Sequence, residues 1–230
     1  MQDYEKRNAK RRADHALCDR LLNATIACAA ERGLHALTTD QVAKHAGLSA
    51  GTLFRLFPTK KNLLEEAMSL AASHLIADDD VGTWTGENFY EQYLHLWNAT
   101  TRCALTHPAA FQYWRLYRTT PLDTEWGYPG YLRLGPFGRL YDMKGAAAGF
   151  DHLTHLDAWL VASQWSAAVG FLLAPARAPF VHGGPGTPPP SPDPVPTQAQ
   201  VMQRACEASW AGLRLDRNLP KAVKPGYVNG

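Results

Sequence analysis

Apolar side chains recur at intervals of three and four along most of this 230-residue chain, the period of one buried face of an α-helix. Leu17, Leu21, Leu22, Ile26 and Ala29 mark a first amphipathic segment over Asp14 to Arg32. Gly33 closes it, because glycine takes the left-handed backbone that ends a helix without steric penalty. Thr38 and Gln41 have the spacing of a capping box, which predicts a second helix from Thr39 with Val42, Ala43 and Ala46 on one face. Gly47 stops that helix and Ser49 caps a third. In this third segment Leu53 and Phe57 turn back toward the second, leaving Ala50, Gly51, Thr52 and Arg55 outward. After Pro58 and the cap Thr59, a longer helix begins at Lys60 and runs through Leu63, Leu64, Ala67, Met68, Ala71 and Leu75 to Asp78-Asp79-Asp80.

Beyond Gly82 the pattern stays helical but the residues change, since all seven tryptophans lie at position 84 or later. Asn88 to Thr106 places Phe89, Tyr93, Leu96, Trp97 and Ala104 inward. Pro108 suits a first helical position and opens a helix with Phe111, Trp114 and Tyr117, ending near Thr120. Residues 121 to 135 read as a loop, and Pro136 opens a short helix to about Ala148. Asp151 to Leu173 is apolar nearly all round, so it needs cover on every side. Residues 175 to 196 carry nine of the 16 prolines and no helical period, which makes them an extended linker. Thr197 to Leu215 forms the last helix. The expected fold is all-α: a basic flexible arm (1–13), a three-helix unit (14–59), a larger helical domain (60–220) and a tail (221–230).

Two short helices joined by a glycine-containing turn make a helix-turn-helix, whose second helix enters the DNA major groove. The start of that second helix is bare. Ser49-Ala50-Gly51-Thr52 offers no bulk, and the glycine costs roughly 1 kcal/mol of helix propensity that needs a compensating use. Thr38-Thr39, Val42-Ala43, Ala46-Gly47-Leu48-Ser49, Gly51-Thr52-Leu53-Phe54, Phe57-Pro58 and Lys60 resemble the DNA-binding signature of the TetR/AcrR family of transcriptional regulators. The resemblance spans about residues 14 to 68. It implies an all-α homodimer with three N-terminal helices for DNA and a divergent helical domain for a small-molecule inducer. One position departs: after Leu53, where the family usually has a tyrosine whose hydroxyl meets a phosphate, this chain has Phe54.

Charge agrees with that reading. The formal net charge is +2, but residues 1–61 hold 11 Lys/Arg against 6 Asp/Glu, while the remainder holds 12 against 15. Positive charge beside the helix-turn-helix would gain affinity by releasing counterions from DNA. Within the arm, Lys6, Arg7, Lys10, Arg11 and Arg12 suit either a solvated tail or a segment that follows the DNA backbone. No run of roughly 18 apolar residues is free of charge or proline, which points to a cytoplasmic protein with no membrane segment. Cys18, Cys28, Cys103 and Cys206 are scattered without a CxxC pair, against a disulfide framework or a cysteine zinc site.

Candidate residues follow from these readings. Thr39, Ser49, Thr52 and Lys60 are placed at DNA phosphates, Gly51 allows close approach, Ala50 and Arg55 are nearest to base edges, and Phe54 is a DNA-binding candidate at the position of the family's tyrosine. Arg55 is the candidate for a bidentate contact to guanine. The ring stripe Trp97, Phe111, Trp114 and Trp159 is either plain core or the wall of a pocket, with Arg102 and Arg115 as polar anchors for a largely apolar or aromatic inducer. Leu156, Leu160, Ala167 and Gly170 of one late helix and Val201, Ala205 and Trp210 of the last are the candidate interface of a homodimer, as a four-helix packing of two copies. His152 and His155 at i, i+3 lack the companions of a metal site, so no metal or cofactor is expected. No nucleophile elbow, phosphate loop or dinucleotide fingerprint appears, so an enzyme is not expected. The alternative is a helical small-molecule binder or enzyme that keeps the fold without binding an operator.

Overall fold

In a computed structural model the chain is described over residues 2–76, 89–119, 137, 155–174 and 197–214, with side chains described from residue 14. Among the described residues there are eight α-helices: α1 (Gln2–Arg32), α2 (Thr39–His45), α3 (Ala50–Leu56), α4 (Lys60–His74), α5 (Phe89–Thr106), α6 (Pro108–Tyr117), α7 (His155–Leu173) and α8 (Gln198–Arg214). The expected all-α class holds. The loop at 121–135, the proline-rich segment at 175–196, Asp78–Asp80, His152 and the tail lie outside the described residues.

The N-terminal boundary differs from expectation. Helix α1 begins at Gln2, so the basic stretch before Asp14 is helical in backbone where a flexible arm was expected. That stretch lacks an apolar period, but it contains neither glycine nor proline and is rich in Lys, Arg, Glu and Ala, all strong helix formers. At about 1.5 Å per residue α1 is long enough to pass beyond the first three helices, and it packs on α6 as well as on α2, α3 and α4.

Local signals set α2, α3 and α4. The Thr38 Oγ1 accepts the Gln41 amide at 3.3 Å while the Thr38 amide donates to Gln41 Oε1 at 3.1 Å, closing the capping box. Gly47 has φ of 63°, and the Leu48 and Gly47 amides donate to Ala43 and Lys44 carbonyls, satisfying the carbonyls at the end of α2. Arg20 of α1 reaches over and donates to the Ala46 carbonyl at 2.6 Å. Ser49 and Thr59 then cap α3 and α4 by accepting the Thr52 and Asn62 amides. Leu53 is fully buried and Phe57 nearly so, worth roughly 1.5–3 kcal/mol each in water removed from apolar surface.

The core is continuous from Leu21 of α1 to Leu213 of α8. Helix α6 is its junction, touching α1 and α4 on one side and α5 and α7 on another. Tyr113 of α6 donates its buried hydroxyl to the Leu64 carbonyl of α4 at 2.8 Å, and burial raises its pKa, holding the proton in place. Burial likewise pushes the Cys206 thiol up to about 11 and raises Cys18 and Cys28. These cysteines act as protonated packing groups.

Candidate nucleic-acid interface

Because Leu53 and Phe57 anchor α3 inward, helix geometry turns Gly51 and Arg55 outward, with Thr52 on one flank and Ala50 and Phe54 on the other. Gly51, Phe54 and Arg55 are exposed, and Ala50 and Thr52 are half-buried. A Cβ added at Gly51 would meet only Ser49 Oγ, at an ordinary 3.8 Å, and its φ is not positive. The free protein therefore has no use of its own for a glycine here.

The hydroxyls of Ser49 and Thr52 lie 3.0 Å apart. One hydrogen bond joins them, which leaves one O–H of the pair to give to a phosphate. Lys60 donates to the Leu37 carbonyl, two residues before Thr39, bringing the start of α4 beside the start of α2. Its ammonium carries three donors, so two remain for an anion. Thr39 is half-buried at the first position of α2.

Arg55 is tied down in a way the sequence does not signal. Its Nη2 donates to Oδ1 of Asp14 at 3.0 Å, 41 residues away on α1. The pair is partly exposed, and such pairs are worth about 0–1 kcal/mol. A bidentate contact to guanine is worth about 1–3 kcal/mol. A contact of that strength would outweigh the pair with Asp14.

The rings expected to line a pocket separate into two groups. Trp97, Phe111 and Trp114 are buried together with Phe137 and Trp165. Trp165 is the hub, with ring centroids 5.4 Å from Phe111, 5.7 Å from Trp114 and 5.4 Å from Phe137. Its indole N–H donates to Thr101 Oγ1 at 3.1 Å, whereas the buried indole N–H groups of Trp97 and Trp114 have no hydrogen-bond partner among the described residues. Trp159, by contrast, is 49% exposed on the outer side of α7, with the Arg118 guanidinium 5.8 Å from its ring centre. Arg102 and Arg115 are exposed, outside the buried ring cluster. The Arg115 guanidinium instead lies against Gly170, where a Cβ would approach it to 2.9 Å.

The helices expected to meet a second copy also divide. On α7, Leu160, Ala167 and Phe171 are exposed beside Trp159, while Gly170 is half-buried and the Leu156 side chain lies outside the described residues. On α8, Trp210 packs within its own chain, 4.8 to 5.7 Å from the rings of Phe89, Tyr90 and Tyr93. Ala205 also packs on the chain's own core, and Val201 is half-buried. Two aromatic helices of one chain attract each other before a partner arrives, which periodicity alone does not reveal.

Comparison with known proteins places these features. Residues 21–67 match the family model described as bacterial regulatory proteins, tetR family. An uncharacterized HTH-type transcriptional regulator of Haemophilus influenzae is 27% identical over 111 residues, 48% of this chain and 59% of that protein. The HTH-type transcriptional repressor KstR of Mycolicibacterium smegmatis is 34% identical over 73 residues, 32% of this chain and 36% of its own length. The aligned part thus falls short of two thirds of either relative. Over 87% of the chain, the fold matches a crystal structure of a TetR-family regulator from Marinobacter aquaeolei (TM-score 0.59, 17% identity, 97% of that chain). One from H. influenzae matches over 86% (TM-score 0.56, 18% identity, 97% of that chain). Both sequence relatives are named as regulators of transcription. Among the described residues, no helix is long and apolar enough to cross a membrane. Residues 21–67 thus carry the signature of the tetR family of bacterial regulatory proteins, and the described helices fold as those of TetR-family crystal structures do.

Proposed function

We propose that the chain is a repressor that binds a palindromic operator as a homodimer and is released by a small, largely apolar inducer. The observation that carries the DNA reading is the outward face of α3, where Gly51 is unneeded by the free fold and Arg55 is exposed beside it. Ser49, Thr52, Thr39 and Lys60 would hold phosphates and fix the docking register, and Arg55 would read a guanine edge. Two-fold pairing sets the half-site centres roughly 34 Å, or a multiple, apart. The exposed apolar row on α7, Trp159, Leu160, Ala167 and Phe171, supports that helix as the centre of the dimer contact. We divide the chain functionally at residues 59 and 60, although the core runs on across that point.

For the inducer, the buried ring cluster supports a flat or apolar molecule. The unpaired indole donors of Trp97 and Trp114 favour one that carries a hydrogen-bond acceptor, since an unmet buried donor costs about 1–3 kcal/mol. Phe111 and Trp114 sit on the same short helix as Tyr113, which holds the α4 backbone at Leu64. Displacing α6 would therefore move α4 and, through Thr59 and Lys60, the attitude of α3. A coupling of 1–3 kcal/mol changes operator affinity about 5- to 150-fold, and linkage requires operator DNA to weaken inducer binding by the same factor.

Selection of randomised duplexes by the full chain tests the DNA reading. A two-fold symmetric sequence should emerge, Arg55→Ala should relax preference at one base pair per half-site, and Lys60→Ala should weaken all sequences alike. No enrichment, or equal losses for both variants on every sequence, would remove the assignment. A thermal-shift screen of aromatic carbonyl compounds, repeated with operator present, tests the second half. Equal affinity for a hit with and without DNA rules out release by coupling.

A further inference from the structure

Among the described side chains of the first four helices, Phe54 is the exposed large apolar one. At 47% exposure it stands apart from Tyr90, Leu105, Trp159, Leu160 and Phe171, the others so exposed among the described residues, all of which lie on α5 or α7. The ring stays uncovered while Leu53 of the same short helix and the adjoining Phe57 are buried. Its position supplies a use. It lies one residue before Arg55 and one helical turn after Ala50, so ring and methyl group form a continuous apolar strip along one flank of the reading face. The ring has no hydroxyl to offer a phosphate. In the major groove the one apolar feature among the base edges is the 5-methyl group of thymine.

We propose that Phe54, with Ala50 a turn before it, reads the 5-methyl group of a thymine in each half-site, beside the base pair read by Arg55. This rests on the DNA-binding reading above and sharpens it from docking to specificity. Thr52, on the opposite flank with its hydroxyl against Ser49, remains free of this role. The two flanks of α3 then divide the work, one polar toward the backbone and one apolar toward a base.

The test uses the full chain and the duplex it selects from a randomised library. Each thymine of that duplex is replaced in turn by deoxyuridine, which removes the methyl group and leaves base pairing intact. One thymine per half-site should show a loss of about 4-fold, or about 16-fold when both half-sites are changed, the value of one buried methyl group each. Phe54→Ala should bind both duplexes equally, and Phe54→Leu should keep part of the preference. Because the side chain is half exposed, neither variant should lower the melting temperature appreciably, and the leucine variant keeps the test usable if alanine does. The inference is overturned if no thymine is methyl-sensitive, or if Phe54→Ala retains the full preference while selection still succeeds. Failure of selection itself would instead defeat the DNA reading beneath it.

Discussion

The first four helices and the ring-rich helices α5, α6 and α7 hold together by different means. In the former, polar side chains three residues from their backbone partners set the starts of α2, α3 and α4: the Thr38–Gln41 box, the Ser49 cap on Thr52 and the Thr59 cap on Asn62. In the latter, rings far apart in sequence meet, with Trp165 of α7 filling the space between Phe111, Trp114 and Phe137. A surface that must present the same atoms to every duplex needs a rigid backbone with little on it. A region proposed to accept a molecule needs bulk that can be rearranged. The contrast predicts that damage to the second region appears mainly as lost stability, and damage to α3 mainly as lost binding.

The strongest way to break this contrast is Trp165→Ala. The side chain is fully buried and its N–H is met by Thr101, so truncation should cost about 3–5 kcal/mol, the range for large core aromatics. Denaturant unfolding measures it directly. A loss below about 1 kcal/mol would mean that the rings enclose a space already loose enough to close, and the cluster would not be a packed core. Trp159→Ala provides the contrast, since that ring is half exposed in one chain. Its cost should be smaller and should grow with protein concentration if α7 is the dimer contact.

Gly51→Ala tests the other region. Alanine fits the free protein, where the new methyl group meets only Ser49 Oγ at 3.8 Å, and should stabilise it by roughly 1 kcal/mol through helix propensity. Against DNA the same methyl group should cost about 1–3 kcal/mol, as an extra carbon does in a filled contact. A higher melting temperature together with weaker binding is thus the expected pair. Unchanged affinity for the selected duplex would show that the backbone at Gly51 does not approach DNA closely, and the bare start of α3 would lose its explanation.

The same contrast governs what the sequence discloses. Capping box, left-handed Gly47 and both serine and threonine caps of α3 and α4 are legible because each partner lies within four residues. The Asp14–Arg55 pair and the Tyr113–Leu64 bond span 41 and 49 residues, and no local pattern announces them. Apolar periodicity shows that Trp159, Trp165 and Trp210 share helical faces but not which partner each face meets. Trp165 turns out central, Trp159 outward and Trp210 spent on α5. Helix α1 before Asp14 escaped for a different reason, since propensity without amphipathic spacing looks like a solvated tail.

The smallest expected effect lies where the two regions meet. His74 in the last turn of α4 stacks on His107 at the start of α6, ring centroids 4.8 Å apart and planes 24° from parallel. Burial first, and the neighbouring His107 second, lower the His74 pKa below its usual 6.5. The folded state therefore binds fewer protons than the unfolded state just below that value. Its contribution to stability is present above about pH 6.5 and is lost as pH falls through that value toward the lowered folded pKa, flattening below it. His74→Phe keeps a ring against His107 but cannot be protonated. Melting curves from about pH 7.5 to about pH 5.5 should fall less steeply for this variant than for the wild type. Identical slopes would mean that His74 does not titrate between those limits with any consequence for folding. If the slopes differ and inducer-dependent release also weakens at low pH in the wild type alone, the seam between α4 and α6 carries both the proton effect and the coupling.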